Sequence, residues 1–280
     1  MLSGQVNGYT RYLRSETSRC HIPKPVSQSQ PGNRPGNGRH ERKTMLREKF
    51  NKLFYAFFLL SIVSAQDTVV SAQDWANFSR YRNENAELAL TPSNGNRIVF
   101  MGNSITEGWK TIHPEFFSGK PYINRGISGQ TTPQMLLRFR ADVINLNPEL
   151  VIILAGTNDI AENTGPSTIE MIANNIISMA ELSIINDIKI IICSVLPVYD
   201  YTWKTGLNPV EKINALNEII RNYALNNEIM YLDYYSLMVD DKKGLIKDYT
   251  YDGVHPNKNG YKIMSTLAEA AIATTLSKEN

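Results

Sequence analysis

Four short polar segments hold the residues whose types and spacing could do chemistry. Ser104 follows an apolar stretch through Gly102 and Asn103, and the run Ser104-Ile-Thr-Glu107-Gly-Trp109 can begin a helical turn. A serine there can expose its hydroxyl as a nucleophile and aim its own N–H at an anion. Serine in that place is also an ordinary helix N-cap. The loop from Asn124 to Thr132 carries glycines at 126 and 129, where the backbone turns closely and a free N–H could meet negative charge. Gly156-Thr-Asn158-Asp159 closes a very apolar run, so the Asn158 carboxamide could donate into the same crevice, although Asn and Asp after Gly also make plain turns. Near the C-terminus, Tyr251-Asp252-Gly-Val-His255-Pro256 has an Asp-x-x-His spacing that lets a local turn bring the carboxylate to Nδ1 of the imidazole while Nε2 faces outward. Taken singly, each segment has a structural explanation. Together they offer a nucleophile, a base, an orienting carboxylate and donors for an oxyanion.

The elements that must position them alternate. Short β-branched runs at 97–101, 122–124, 150–155, 188–194 and 229–233 predict strands, and their nearly continuous apolar character suits strands covered on both faces. Amphipathic stretches predict helices at 132–145, 167–182, 210–226 and 259–276, with a lead-in helix at 74–88. This βα alternation implies one α/β domain, a three-layer α/β/α sandwich on a five-stranded parallel sheet, running from residue 95 to 280 behind a lead-in segment at 66–94. In such sheets ligands collect at the carboxyl ends of the strands. The segments holding Ser104, Gly129 and Asn158 all fall there.

The N-terminal part has a different composition. Residues 1–44 are rich in Gly, Pro, Ser, Asn and Arg and cannot bury enough surface to fold, so disorder is expected. A basic stretch from Met45, an apolar run Leu53–Val63 and the closing Ser64-Ala65-Gln66 have the layout of a secretory signal peptide spanning 45–65. The run covers roughly 16 Å as a helix against a hydrocarbon core of about 30 Å, which excludes a stable membrane span. The expectation is translation from Met45, cleavage after Ala65 and a secreted or periplasmic product, with Ser71-Ala72-Gln73-Asp74 as a weaker second site.

Residues 1–65 hold 11 of the 29 Lys+Arg and 3 of the 27 Asp+Glu, so the remainder has a formal net charge of −6. Nothing in that charge suits nucleic acid. Cys193 is the one cysteine after residue 65 and lies within an apolar run, where it reads as a small buried hydrophobe. The dispersed histidines show no metal-ligand spacing, and no cofactor or metal is expected. Neither a P-loop nor a GxGxxG fingerprint is present.

The four segments, in this order and spacing across about residues 95–275, resemble the signature blocks of the SGNH hydrolase superfamily, the GDSL-type esterases and lipases. The resemblance implies a flavodoxin-like five-stranded sheet. It also implies Ser104 as nucleophile, Asp252 and His255 as the other triad members, and an oxyanion hole from Ser104, Gly129 and Asn158, with Gly126 as the alternative glycine. Two positions depart from the family pattern: Asn103 and Gln130 stand where Asp is common. Neither position makes or breaks bonds. The aromatic segment 198–209, with Tyr201 and Trp203, could line the substrate pocket, as could Trp109. A secreted member with no long apolar lid resembles a short-chain acyl esterase acting on acetylated carbohydrate, a small-molecule or glycan ester. The rivals are a lysophospholipase or thioesterase for longer acyl chains and a non-catalytic carbohydrate-binding module on the same fold. The oligomeric state is not legible in the sequence.

Overall fold

A computed structural model describes residues 74–91 and 96–277. The chain divides into units 1–63 and 64–280, and only the second contains described residues. The expectations for 1–44 and 45–65 therefore lie outside the described residues.

The five apolar runs form strands β1 (Ile98–Gly102), β2 (Tyr122–Gly126), β3 (Leu150–Leu154), β4 (Lys189–Cys193) and β5 (Met230–Leu232), all parallel, in the order β2-β1-β3-β4-β5. Strand alternation sends Val99, Met101, Val151, Ile153, Ile190 and Ile192 into one core layer, and Ile98, Phe100, Leu150, Ile152, Ile191 and Cys193 into the other. Helices α3 (Thr132–Asp142), α5 (Ile169–Ile184) and α6 (Pro209–Asn226) cover the first face through residues such as Phe139, Ile176 and Leu216. Helices α2 (Ser104–Ile112) and α8 (Lys258–Ser277) cover the second through Ile105, Trp109, Tyr261 and Met264. The result is the expected three-layer α/β/α sandwich. Each fully buried Ile or Phe of this kind contributes about 1.5–3 kcal/mol.

Differences from the sequence reading are local. The lead-in helix α1 spans Arg82–Leu90 rather than 74–88, because residues 74–80 are held in turns by the Asp74 carboxylate, which accepts the N–H groups of Phe78 and Ser79 at 2.7 and 3.0 Å. One-turn helices α4 (Thr157–Ile160) and α7 (Tyr235–Met238) follow β3 and β5. They are too short for any hydrophobic period to announce them. Cys193 is buried and free. Among the described residues no helix is long and apolar enough to cross a membrane.

Candidate active site

Helix α2 starts where β1 ends, and the side chain of Asn103 caps it by accepting the Ile105 N–H at 3.0 Å. Asparagine caps as well as aspartate does, so this departure from the family pattern keeps the local geometry. Ser104 is thereby the first residue of α2, at the positive end of the helix dipole. The close approach of α2 to the strands needs glycine on both sides. A Cβ on Gly102 would meet Thr106 Oγ1 at 2.0 Å, and one on Gly126 would meet the Glu107 nitrogen at 2.1 Å.

Ser104 Oγ lies 2.9 Å from His255 Nε2, and His255 Nδ1 lies 2.8 Å from Asp252 Oδ2. The pair comes from a loop of short-range contacts. The other Asp252 oxygen accepts the Val254 and His255 N–H groups at 3.0 and 2.8 Å, so one carboxylate shapes the turn and orients the ring. Gly253 sits at φ +86°, a backbone conformation that favours glycine. Thr250 Oγ1 donates to the His255 carbonyl and accepts the N–H groups of Asp252 and Gly253, bracing the loop from inside. Partial burial works to raise the Asp252 pKa, but the hydrogen bonds from the His255 N–H, the imidazole and the Val254 N–H outweigh it and hold the carboxyl below its ordinary value. Asp252 is thus ionised at neutral pH.

The end of β2 and the loop after it hold the two candidate glycines. Gly129 has φ +76°, and among the described residues neither its N–H nor that of Ser104 has a protein acceptor. Gly126, the alternative glycine, has its N–H committed to Asn124 Oδ1 at 2.9 Å and its carbonyl to the Tyr81 hydroxyl. That leaves Gly129 as the glycine with a free donor. Asn158, nearly fully buried on α4, spends one amide hydrogen on the Gln130 carbonyl at 2.9 Å and keeps the other. Its neighbour Asp159 accepts from the Thr132 N–H at 2.9 Å and from Thr132 Oγ1 at 2.6 Å, tying α4 to α3. Burial pushes the Asp159 carboxyl up to about 6, against the lowering effect of those bonds.

Of the three aromatic candidates, one reaches the site. Trp203 is 46% exposed, and its ring centroid lies 6.1 Å from that of His255 at 35° to it. Its Nε1 donates to Asn163 Oδ1 at 3.3 Å, while Lys204 pairs with Glu162 at 2.8 Å, so the segment is tied to the loop after α4. Tyr201 is instead buried beneath Trp203, with its hydroxyl donating to the Thr157 carbonyl at 2.9 Å. Trp109 is also buried, stacked on Phe116 and bonded through Nε1 to Ser265. Five residues after Ser104 is roughly 140° round a helix, which turns Trp109 toward the sheet. Both belong to the fold rather than to the pocket wall.

Sequence reasoning missed the residues that brace the loop of Gly129. Glu107 accepts the Ser128 N–H at 2.9 Å and also its hydroxyl, and Asn163 Nδ2 donates to the Gly129 carbonyl at 3.3 Å. Arg138, fully buried and paired with Asp142 at 2.8 Å, donates to the carbonyls of Gly102 and Arg125 at 3.0 and 2.9 Å, where β1 and β2 end. The only sequence signal was an arginine inside the apolar face of a helix, at Met135-Leu-Leu-Arg138-Phe139.

The chain matches the model of the GDSL-like lipase/acylhydrolase family over residues 100–263, and it belongs to that family. A solved structure from Bacteroides fragilis, assigned as an acylhydrolase, is 50% identical, with 73% of this chain and 99% of that one covered at a TM-score of 0.71. A GDSL-like lipase from Bacteroides thetaiotaomicron is 51% identical over 71% of this chain and 98% of its own, at a TM-score of 0.69. The acetylxylan esterase of Xylanibacter ruminicola is 24% identical over an alignment of 213 positions that covers 63% of this chain and 43% of that protein. The chain spans less than half the length of the curated relatives it matches.

Proposed function

We propose that this member of the GDSL-like lipase/acylhydrolase family is a secreted serine esterase that removes short acyl groups, acetyl above all, from carbohydrate. The observation that carries the chemistry is the unbroken chain from Ser104 Oγ through both nitrogens of His255 to Asp252. His255 Nε2 takes the Ser104 proton as the oxygen attacks the ester carbonyl. Asp252 holds the tautomer and stabilises the imidazolium. The developing oxyanion is met by the N–H groups of Ser104 and Gly129 and the spare amide hydrogen of Asn158. Protonated His255 then gives its proton to the departing alkoxide, and water, activated by the same imidazole, releases the acid from Ser104. A binding module without catalysis needs neither the nucleophile nor the base, and here both are present and joined.

Two features support a sugar ester. Trp203 offers a half-exposed ring face beside the base, a surface suited to stacking against a pyranose. The acetylxylan esterase relative, by its name, acts on acetylated xylan. Hydrolysis of p-nitrophenyl esters of increasing length, set beside acetylated xylo-oligosaccharides, tests this reading. Activity should be greatest on acetyl, and Trp203→Ala should weaken the oligosaccharide reaction several-fold more than the p-nitrophenyl acetate reaction. A maximum at eight carbons or more would replace it with a lysophospholipase or thioesterase. The secretion half rests on the signal-like segment 45–65. N-terminal sequencing of exported protein should begin at Gln66, and an intact residue 1 would remove it.

A further inference from the structure

The segment before the sheet takes no part in the reaction above, yet Ala76, Arg80 and Tyr81 all reach one loop. Ala76 offers its carbonyl to Gln130 Nε2 at 2.7 Å, and Trp75 offers its carbonyl to Gln134 Nε2 at 2.7 Å. Arg80 pairs at 3.1 Å with Glu107, whose other oxygen holds Ser128. The Tyr81 hydroxyl donates to the Gly126 carbonyl, and burial pushes that phenol up to about 12, so it stays a donor throughout the neutral range. Residues 126, 128 and 130 are therefore all gripped, directly or through one side chain, by residues 76–81.

Gln130 is where this grip reaches the oxyanion donors. It directly follows Gly129, and its carbonyl accepts the Asn158 amide at 2.9 Å. Its side chain is almost fully buried between two groups of opposite demand. The Ala76 carbonyl needs a donor, and Arg138 Nε, at 2.6 Å from Gln130 Oε1, needs an acceptor. A carboxamide supplies one of each, whereas an ionised carboxylate supplies acceptors only. The residue that departs from the family's aspartate thus suits this particular pair of neighbours.

We propose that Gln130 is a positioning residue for Gly129 and Asn158, and that segment 74–90 is a strap that sets their position through it. The proposal rests on the esterase reading above. Gln130→Glu tests it, because it keeps size and the Arg138 contact while turning the donor toward Ala76 into a second acceptor. On p-nitrophenyl acetate at about pH 7.5 and well below the melting temperature, kcat should fall about tenfold or more with KM within about threefold, and the melting temperature should drop by several degrees because the Ala76 carbonyl loses its buried donor. The ratio of variant to wild-type kcat should rise toward about pH 5.5, because a protonated Glu regains the donor. Tyr81→Phe, which removes one hydroxyl and one bond to the same loop, should lower kcat about threefold and combine with Gln130→Glu less than multiplicatively.

An unchanged kcat in Gln130→Glu would overturn the proposal. So would a loss in Gln130→Glu that stays constant from about pH 7.5 to 5.5, the pattern of simple destabilisation. If Gln130→Glu does not fold, Tyr81→Phe decides alone, an unchanged kcat overturning the strap. Ser104→Ala in the same assay separates the two claims. Undiminished hydrolysis there would remove the esterase reading itself, whereas a dead Ser104→Ala beside a fully active Gln130→Glu would remove only the strap.

Discussion

The two halves of the site are built in opposite ways. The base side, Thr250 to Pro256, is part-exposed, and its hydrogen bonds run mostly among neighbours in sequence, such as Asp252 with the Val254 and His255 N–H groups, while buried Val254 anchors it in the core. The oxyanion side, Gly126 to Thr132 with Asn158, is largely buried and held by residues from distant segments: Ala76, Tyr81, Glu107, Arg138 and Asn163. Local bonds give the base loop its shape, and buried Val254 seats it on the core. The oxyanion loop takes its shape from the whole fold, so its precision depends on residues that never approach the ester.

The sharpest break in that comparison comes from the base side. Asp252→Asn should lower kcat about 10⁴-fold at neutral pH, because the amide favours the wrong imidazole tautomer, and should leave the melting temperature within a few degrees. Steady-state kinetics beside a thermal melt checks both halves, and a loss under tenfold would sink the orienting role. On the oxyanion side, Asn158→Ala should cost about 10²–10³ in kcat and should also lower stability, since the Gln130 carbonyl loses its buried donor. A variant with normal kcat and a large stability loss would reduce Asn158 to a packing residue.

The two carboxylates divide the same way. Asp252 lies below its ordinary pKa, so its contribution to stability is present above the unfolded value near 3.8 and fades as pH falls further. Asp159 lies above, at about 6, so its contribution is full below 3.8 and is lost as pH rises through about 6. Wild type should therefore gain about 1 kcal/mol of stability, relative to Asp159→Asn, when pH is lowered from about 7.5 to 5. Urea midpoints at the two values measure it. Equal pH dependence in both proteins would show that the Asp159 proton is bound no more tightly in the folded state.

The same contrast explains what the sequence disclosed. Asp252 and His255 are three residues apart and constrain each other through one turn, so their relation was visible in the spacing. Sheet, layers and most helices were equally legible, because apolar runs covered on both faces allow few alternatives. The roles of Gln130, Arg138 and Glu107 were hidden, because each depends on a partner in another segment and nothing in a single sequence pairs Gln130 with Ala76. Trp109 and Tyr201 misled for a related reason: an aromatic near a catalytic motif looks the same whether its ring faces the pocket or the core. Helical phase turned Trp109 inward, and the Thr157 carbonyl holds the hydroxyl of Tyr201.

The proposed chemistry depends on Ser104 as a nucleophile activated by His255. Hydrolysis of p-nitrophenyl acetate by wild type, Ser104→Ala and His255→Ala tests it most directly. Wild type should turn over robustly, and both variants should lose about 10⁴-fold or more with the folded state retained in each. Equal rates in all three proteins would contradict it.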